Sequence, residues 1–390
     1  MSLNATVSNW YSCGDLISDY KNPTTGADNT RTLLDEAVTW YFTNNPSDSK
    51  SKYDTDDDGY FDGVMLIYGA PDFATLKEAR SVSGNLWAYC SWTQANKGTI
   101  SNPKVNVYFW ASYDFMYGDN ATDRTGFNYG GGDTDHCTLD AHTFIHEMGH
   151  VLGLEDYYDY GSNKYSPAGG FSMQDDNVGG HDPYSVIAYG WADPYIPTDS
   201  MEITINDFQS SHDVILLANH NVNSPFDEYM LLELYTPTGL NEFDSDYQYQ
   251  GVYPQGPKES GIRLWHVDAR LSEWLGDTSF STNLTSNPTA GRMVHAMSNS
   301  YGGQNASYLG EDYYNYNILQ LIRRSTFETY KTKSPLTGSN LFFADKTFDM
   351  STYSKQFVNG AYMNDGKALG WTFSVESIAD NQAVISLTKV

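Results

Sequence analysis

The stretch Thr138-Leu-Asp-Ala-His-Thr-Phe-Ile-His-Glu-Met-Gly-His-Val-Leu-Gly-Leu-Glu-Asp156 constrains this chain most. It contains an H-E-x-x-H pair, His146, Glu147 and His150, in a run that reads as a helix. Residues four apart sit one above the other on a helix face, so His146 and His150 can converge on one ion beside Glu147. His142 lies on the same stripe, but it is two turns, roughly 12 Å, from His150, and one ion takes only an adjacent pair. Glu147, directly after His146, selects the His146/His150 pair. Thr138 is the expected N-cap and Asp140 suits the dipole of the first turn. Gly149 costs about 1 kcal/mol relative to alanine inside a helix, which points to close packing there.

A catalytic zinc takes three protein ligands and keeps a position for water. Gly153 lets the chain turn back after the helix. Glu155, Asp156, Asp159, Asp175 and His181 then compete for the third place. Asp156 stands first, because it completes H-E-x-x-H-x-x-G-x-x-D. The extended zincin pattern has histidine there, and aspartate is an acceptable oxygen ligand. The bland alternative is an ordinary packed helix; the added glycine and acid make that coincidence harder to sustain.

At 390 residues two domains are expected. Apolar spacing at Leu34, Ala37, Val38 and Tyr41 predicts a helix over about 30–42, capped by Asp28 or Thr30. Gly63–Tyr68, Asn85–Trp92 and Val105–Tyr113 read as strands, and Pro183–Trp191 as a short helix. From Met201 onward the pattern alternates through 201–205, 214–217, 229–235 and 261–268. It ends in a hairpin about Asp380-Asn381. The fold class expected is an α+β catalytic domain over 1–195, then a β-rich, sandwich-like domain over 196–390. Pro194 and Pro197 mark the boundary.

Lys+Arg number 22 and Asp+Glu 49, a net charge of −27. That excess argues against nucleic acid and anionic membrane surfaces as partners and is compatible with calcium sites and with solubility outside a cell. No apolar run approaches the ~20 residues of a membrane span. Cys13, Cys90 and Cys137 are odd in number and outside any C-x-x-C pair, so they imply neither a disulfide framework nor a cysteine zinc site. Residues 1–10 lack a basic n-region and an apolar h-region, so they do not read as a signal peptide, and Met1-Ser2-Leu3 reads as an added start.

Asp54-x-Asp56-x-Asp58-Gly59-x-x-Asp62 places carboxylates at positions 1, 3, 5 and 9 of a calcium loop, with glycine at 6. Position 12 is Met65 and a strand follows, so this is a looser calcium loop than an EF-hand, with a structural role. His266 and Asp268 share a strand face and form either a hydrogen-bonded pair or part of a second metal site. Tyrosine clusters at 313–316 and 247–249 are of the kind that stacks on sugars, although such tyrosines more often pack. Glycans are carried as a further partner class on that ground alone.

His146–Asp156, followed by Gly170-Phe-Ser-Met173 and Tyr184-Ser-Val-Ile-Ala-Tyr-Gly-Trp191, resembles the immune inhibitor A family of secreted bacterial zinc metallopeptidases, which are metzincin-like zincins. The likeness reaches upstream to 54–68 and downstream to 229–233 and 261–268. The resemblance implies a zincin-like catalytic domain, zinc as cofactor, and hydrolysis of peptide bonds in protein or peptide substrates outside the cell or at its surface. It implies Glu147 as general base and Met173 as the methionine turn beneath the metal. It also places the 105–113 strand where an extended substrate would pair. Tyr157, Tyr158, His181 and Tyr184 are the oxyanion-donor candidates. Glu155 departs from the family pattern, which has proline there. The alternative function is an inactive zincin-like module for adhesion or for binding protein or glycan, and the intact Glu147 argues against it.

Overall fold

The structure, a computed structural model, describes residues 5–14, 26–69, 88–93, 96–117, 141–161, 165–246, 248, 253–276, 279–281 and 292–390. The chain divides into two compact units, Met1–Leu154 and Glu155–Val390. It is a mixed α/β chain with several antiparallel sheets and few helices.

In the first unit a helix runs over Gly26–Asn44, so Thr30 lies inside it, fully buried, rather than at its cap. Strands β1 (Val64–Tyr68), β2 (Tyr89–Trp92) and β3 (Val107–Ser112) form a sheet in the order β1-β3-β2. β1 runs parallel to β3 and β2 antiparallel. β3 is therefore bonded on both sides. The expectation that it offers a free edge to an extended peptide is corrected, and among the described strands β2 and β1 hold the edges.

The motif helix spans His142–Leu152. Phe144 and Val151 lie roughly opposite the His146/His150 stripe at 100° per residue. Phe144 packs edge-on to Phe109 of β3, with ring centroids 5.7 Å apart, in a cluster with Ala88 and Ala111. One face is thus bound to the sheet and the other presents imidazoles. The expected cap residues Thr138 and Asp140, like Cys137, lie outside the described residues.

In the second unit, β11 (Leu319–Ile322), β7 (Gly261–Asp268), β6 (Glu228–Tyr235) and β5 (Val214–Leu217) form an antiparallel sheet in that order. A second runs β12 (Lys346–Phe348), β13 (Trp371–Ala379), β14 (Gln382–Lys389), β4 (Met201–Asn206). Met230, Leu232, Ile262 and Leu264 of the first share one core with Phe373, Val375, Ile385 and Ile205 of the second, which is the sandwich arrangement. The β13–β14 hairpin turns on Asp380 and Asn381 at φ 51° and 58°, the left-handed pair that a two-residue turn needs.

β6 and β7 are buried along their whole length, so both faces are covered and their alternation does not mark a solvent side. Tyr229, Leu231, Trp265 and Val267 point into another core, shared with Tyr157, Phe171, Tyr184, Val186 and Ile187. That shared core is the reason the expected boundary at 195/196 moves to 154/155: residues 157–187 contribute their large apolar side chains to the β-rich unit. The short helix is Pro183–Ala188, with Asp182 as N-cap accepting from Ser185 N at 2.9 Å and proline at its first position.

β7 carries polar and charged side chains into this interior, and most find partners on neighbouring chain. His266 Nε2 lies 2.9 Å from Glu228 Oε1 of β6, and Arg270 Nε donates to Asp268 Oδ1 at 2.7 Å. His266 and Asp268 thus each have their own partner: His266 a hydrogen bond to Glu228, and Asp268 an ion pair with Arg270. Of the tyrosine cluster, Tyr316 is buried with its hydroxyl on Asn359 Oδ1, and Tyr313 packs against it. Tyr247 and Tyr249 lie outside the described residues.

Candidate metal centre

The motif helix ends where the sequence predicts. Gly153 adopts φ 106°, and its N–H reaches the carbonyls of Gly149 and His150. Leu154 N then donates to Gly149 O at 2.9 Å. A left-handed residue here turns the chain back without the strain a side chain would bring.

This turn fixes the histidine chemistry. His150 Nδ1 lies 2.9 Å from the Leu154 carbonyl, which can only accept, so Nδ1 carries the proton and Nε2 presents its lone pair. His150 Nε2 and His146 Nε2 stand 3.2 Å apart, with ring planes at 89°. Two nitrogens held at 2.0–2.1 Å on a tetrahedral ion would be separated by about 3.3 Å. The pair therefore has the spacing of two zinc ligands.

Four residues beyond the helix, Asp156 joins them: one ligand atom each from His146, His150 and Asp156 lie within 4.8 Å of one another. Glu147 is buried beside the pair. The residues present thus fit a zinc ion with two imidazoles, one carboxylate and an adjacent base. Among the described residues His142, Asp159, Asp175 and His181 are outside this group. Asp159 is occupied with Gly161 N and Tyr165 N, and Asp175 with Gly170 N and Asp176 N. Burial, with the charge of Asp176 second, raises the Asp175 carboxyl above its ordinary range.

Asp156 has a partner that sequence reasoning missed. The Tyr160 hydroxyl donates to Asp156 Oδ2, the kind of outer contact that fixes a ligating carboxylate. Burial and then the Asp156 charge raise the Tyr160 phenol, so it stays a donor. The i, i+4 spacing of the two residues is visible in sequence, but nothing outside a helix gives that spacing a contact meaning.

Met173 sits buried in a turn whose neighbours are heavily bonded. Ser172 Oγ donates to Asp182 Oδ2 at 2.7 Å, and Ser185 Oγ donates to the same oxygen. Gln174 O accepts from Tyr157 N at 2.7 Å, tying this turn to the segment after Asp156. The Tyr157 hydroxyl is 3.1 Å from Ser185 Oγ, and the Tyr184 hydroxyl is 3.1 Å from His295 Nε2. Both rings are fully buried, so these oxyanion-donor candidates are engaged inside the core.

The acidic loop forms a second candidate centre. Asp54, Asp56 and Asp58 converge, each offering an oxygen within 4.8 Å of the others. Asp54 is buried and accepts from Asp58 N and Gly59 N at 2.9 and 3.0 Å. Asp62 turns away to Thr55, accepting from its N–H and hydroxyl at 3.0 and 2.9 Å, and does not join the three. A Cβ at Gly59, with φ 87°, would lie 2.9 Å from Gly98 O, so position 6 requires glycine. Carboxylates this close repel strongly unless a cation lies between them, and oxygen-only donors suit calcium.

No protein-family model matches the chain, and no curated protein matches it. The functional reading rests on these residues and their geometry.

Proposed function

We propose that the chain is a zinc-dependent endopeptidase that hydrolyses peptide bonds in protein substrates outside the cell, as the immune inhibitor A resemblance implies. The observation that carries this is the 3.2 Å approach of His146 and His150 Nε2 with Asp156 in reach, on a helix where the next residue after His146 is the buried Glu147. His146, His150 and Asp156 would hold the ion. Bound zinc supplies Lewis-acid polarisation of the scissile carbonyl and acidifies water. Glu147 takes the proton of the attacking water on a carboxylate oxygen and passes it to the amide nitrogen as the C–N bond breaks. Tyr160 steadies Asp156 by donating to Oδ2. An inactive binding module would have no need of a buried carboxylate at position 147.

Calcium at Asp54, Asp56 and Asp58 is a structural cofactor in this reading. The loop leads directly to Gly63, where an added Cβ would lie 2.7 Å from Val151 Cγ1 of the motif helix. Ordering the loop therefore sets how β1 approaches that helix. No described helix is long and apolar enough to cross a membrane.

The test is zinc content alongside cleavage of an unfolded protein by wild type and Glu147→Ala. The expected result is one zinc per chain in both, with cleavage reduced about 10²–10⁴-fold in the variant. Absence of zinc, or undiminished cleavage in the variant, overturns the mechanism.

A further inference from the structure

Asp156 is not placed by the motif helix alone. The segment Glu155–Tyr160 is bonded along its length to His295–Tyr301, which lies far downstream in the same unit. Ser300 Oγ donates to the Asp156 carbonyl at 2.9 Å, across 144 positions of sequence. Asn299 Nδ2 donates to the Tyr157 carbonyl at 2.8 Å. Tyr160 N donates back to Ser300 O at 3.2 Å, and the Tyr160 and Tyr301 rings meet edge-on at 4.7 Å. At the other end, His295 Nδ1 faces Glu155 Oε1 at 3.6 Å while its Nε2 faces the Tyr184 hydroxyl.

The downstream segment is itself fixed. Asn299 also grips β11, donating to Leu319 O and accepting from Leu319 N at 2.8 and 3.2 Å. Asn305 bonds Ser298 through both its N–H and its carbonyl. Met297, Asn299 and Ser300 are all buried. An irregular segment whose side chains bond another irregular segment's backbone on one side and a central sheet on the other behaves as a mould.

We infer that His295–Tyr301 is a positioning strap for the third metal ligand, setting Asp156 through the backbone carbonyls of Asp156 and Tyr157. This rests on the reading of Asp156 as a ligand. The strap residues act through the backbone of Asp156 and Tyr157, as positioning residues. Their effect is on how well the donor set is pre-arranged, and loss of such supporting contacts typically weakens metal binding about 10–100-fold.

The test is the zinc dissociation constant, measured by competition with a chelator below the unfolding temperature of every variant, together with the visible spectrum of the cobalt-substituted protein. Ser300→Ala is expected to weaken zinc about tenfold and Asn299→Ala up to about a hundredfold, each with a shifted cobalt spectrum. Ser300→Thr restores the hydroxyl and is expected to recover both. Gln356→Ala removes a comparable buried side chain that bonds Arg323 and Ser325, and it is expected to lose stability without moving either readout. If Asn299→Ala does not fold, the Ser300→Ala and Ser300→Thr pair decides. Wild-type zinc affinity and spectrum in the strap variants, with Asp156→Asn weakened, overturns the strap and keeps the ligand. Wild-type affinity in Asp156→Asn as well overturns the ligand and the strap together.

Discussion

The two candidate metal centres are built in opposite ways. In the Asp54–Asp62 loop, the oxygens that converge come from three alternate residues within a five-residue stretch, and their backbone donors lie in the same turn. In the His146–Asp156 stretch, the ligands are close in sequence but their supports are not: Asp156 depends on Tyr160, on Gln174 through Tyr157, and on Ser300. The first is a self-contained loop, and in the proposed reading it orders around a hard ion. The second is a donor set supported by distant parts of the chain, which in the proposed reading suits an open catalytic site that keeps a position for water.

This contrast predicts which changes stay local. The largest expected effect is His150→Ala, which should weaken zinc binding by more than about 10²-fold while calcium titration stays at wild type. Asp54→Ala should do the reverse. It should abolish calcium-dependent stabilisation, measured as the loss of the Tm increase on adding calcium, and leave the zinc dissociation constant within about threefold. A fall in zinc affinity comparable to that of His150→Ala would show that the two centres are not independent.

A smaller effect comes from the contact that joins the loop to the motif helix. Gly63→Ala places a methyl against Val151 and should destabilise the protein by about 1–3 kcal/mol in denaturant unfolding. Adding Val151→Ala should recover much of that loss, because the two changes share one space. Additive losses would break the account of how the loop sets the helix.

A pH effect of similar or lesser size is expected at Asp244, a buried carboxylate outside both candidate centres that is held by backbone donors. Asp244 accepts from Val178 N and Gly179 N, and burial pushes its carboxyl up from 3.8 to about 6. A raised folded-state value means the folded form binds the proton more tightly. The stability it contributes is complete below about 4 and is lost as pH rises through 6. Asp244→Asn should therefore gain on wild type between pH 4 and 7, by about 2–3 kcal/mol at most. A pH-independent difference between the two proteins would contradict that assignment.

Much of this was legible in the sequence, for reasons that differ by element. The motif helix, its stop at Gly153 and the choice of His146/His150 follow from helical spacing and one glycine. The three converging carboxylates follow from a turn of fixed length. The β13–β14 hairpin follows from Asp380-Asn381. What could not be read depends on contacts between distant segments. Residues 157–187 look like irregular catalytic-domain chain, yet their side chains complete the core under β6 and β7. β3 reads as a strand, but sequence does not say that both its edges are used. Asp62 fits position 9 of a calcium loop, yet Thr55 claims it. Ser300 and Asn299 belong to no motif at all, and only the fold gives them a bearing on Asp156.

X-ray absorption at the zinc edge reads the proposed donor set directly. The expected spectrum has two imidazoles and oxygen donors at about 2.0–2.1 Å, with one oxygen contributed by Asp156 and altered in Asp156→Asn. A spectrum with three imidazoles, or one unchanged by that substitution, would contradict it.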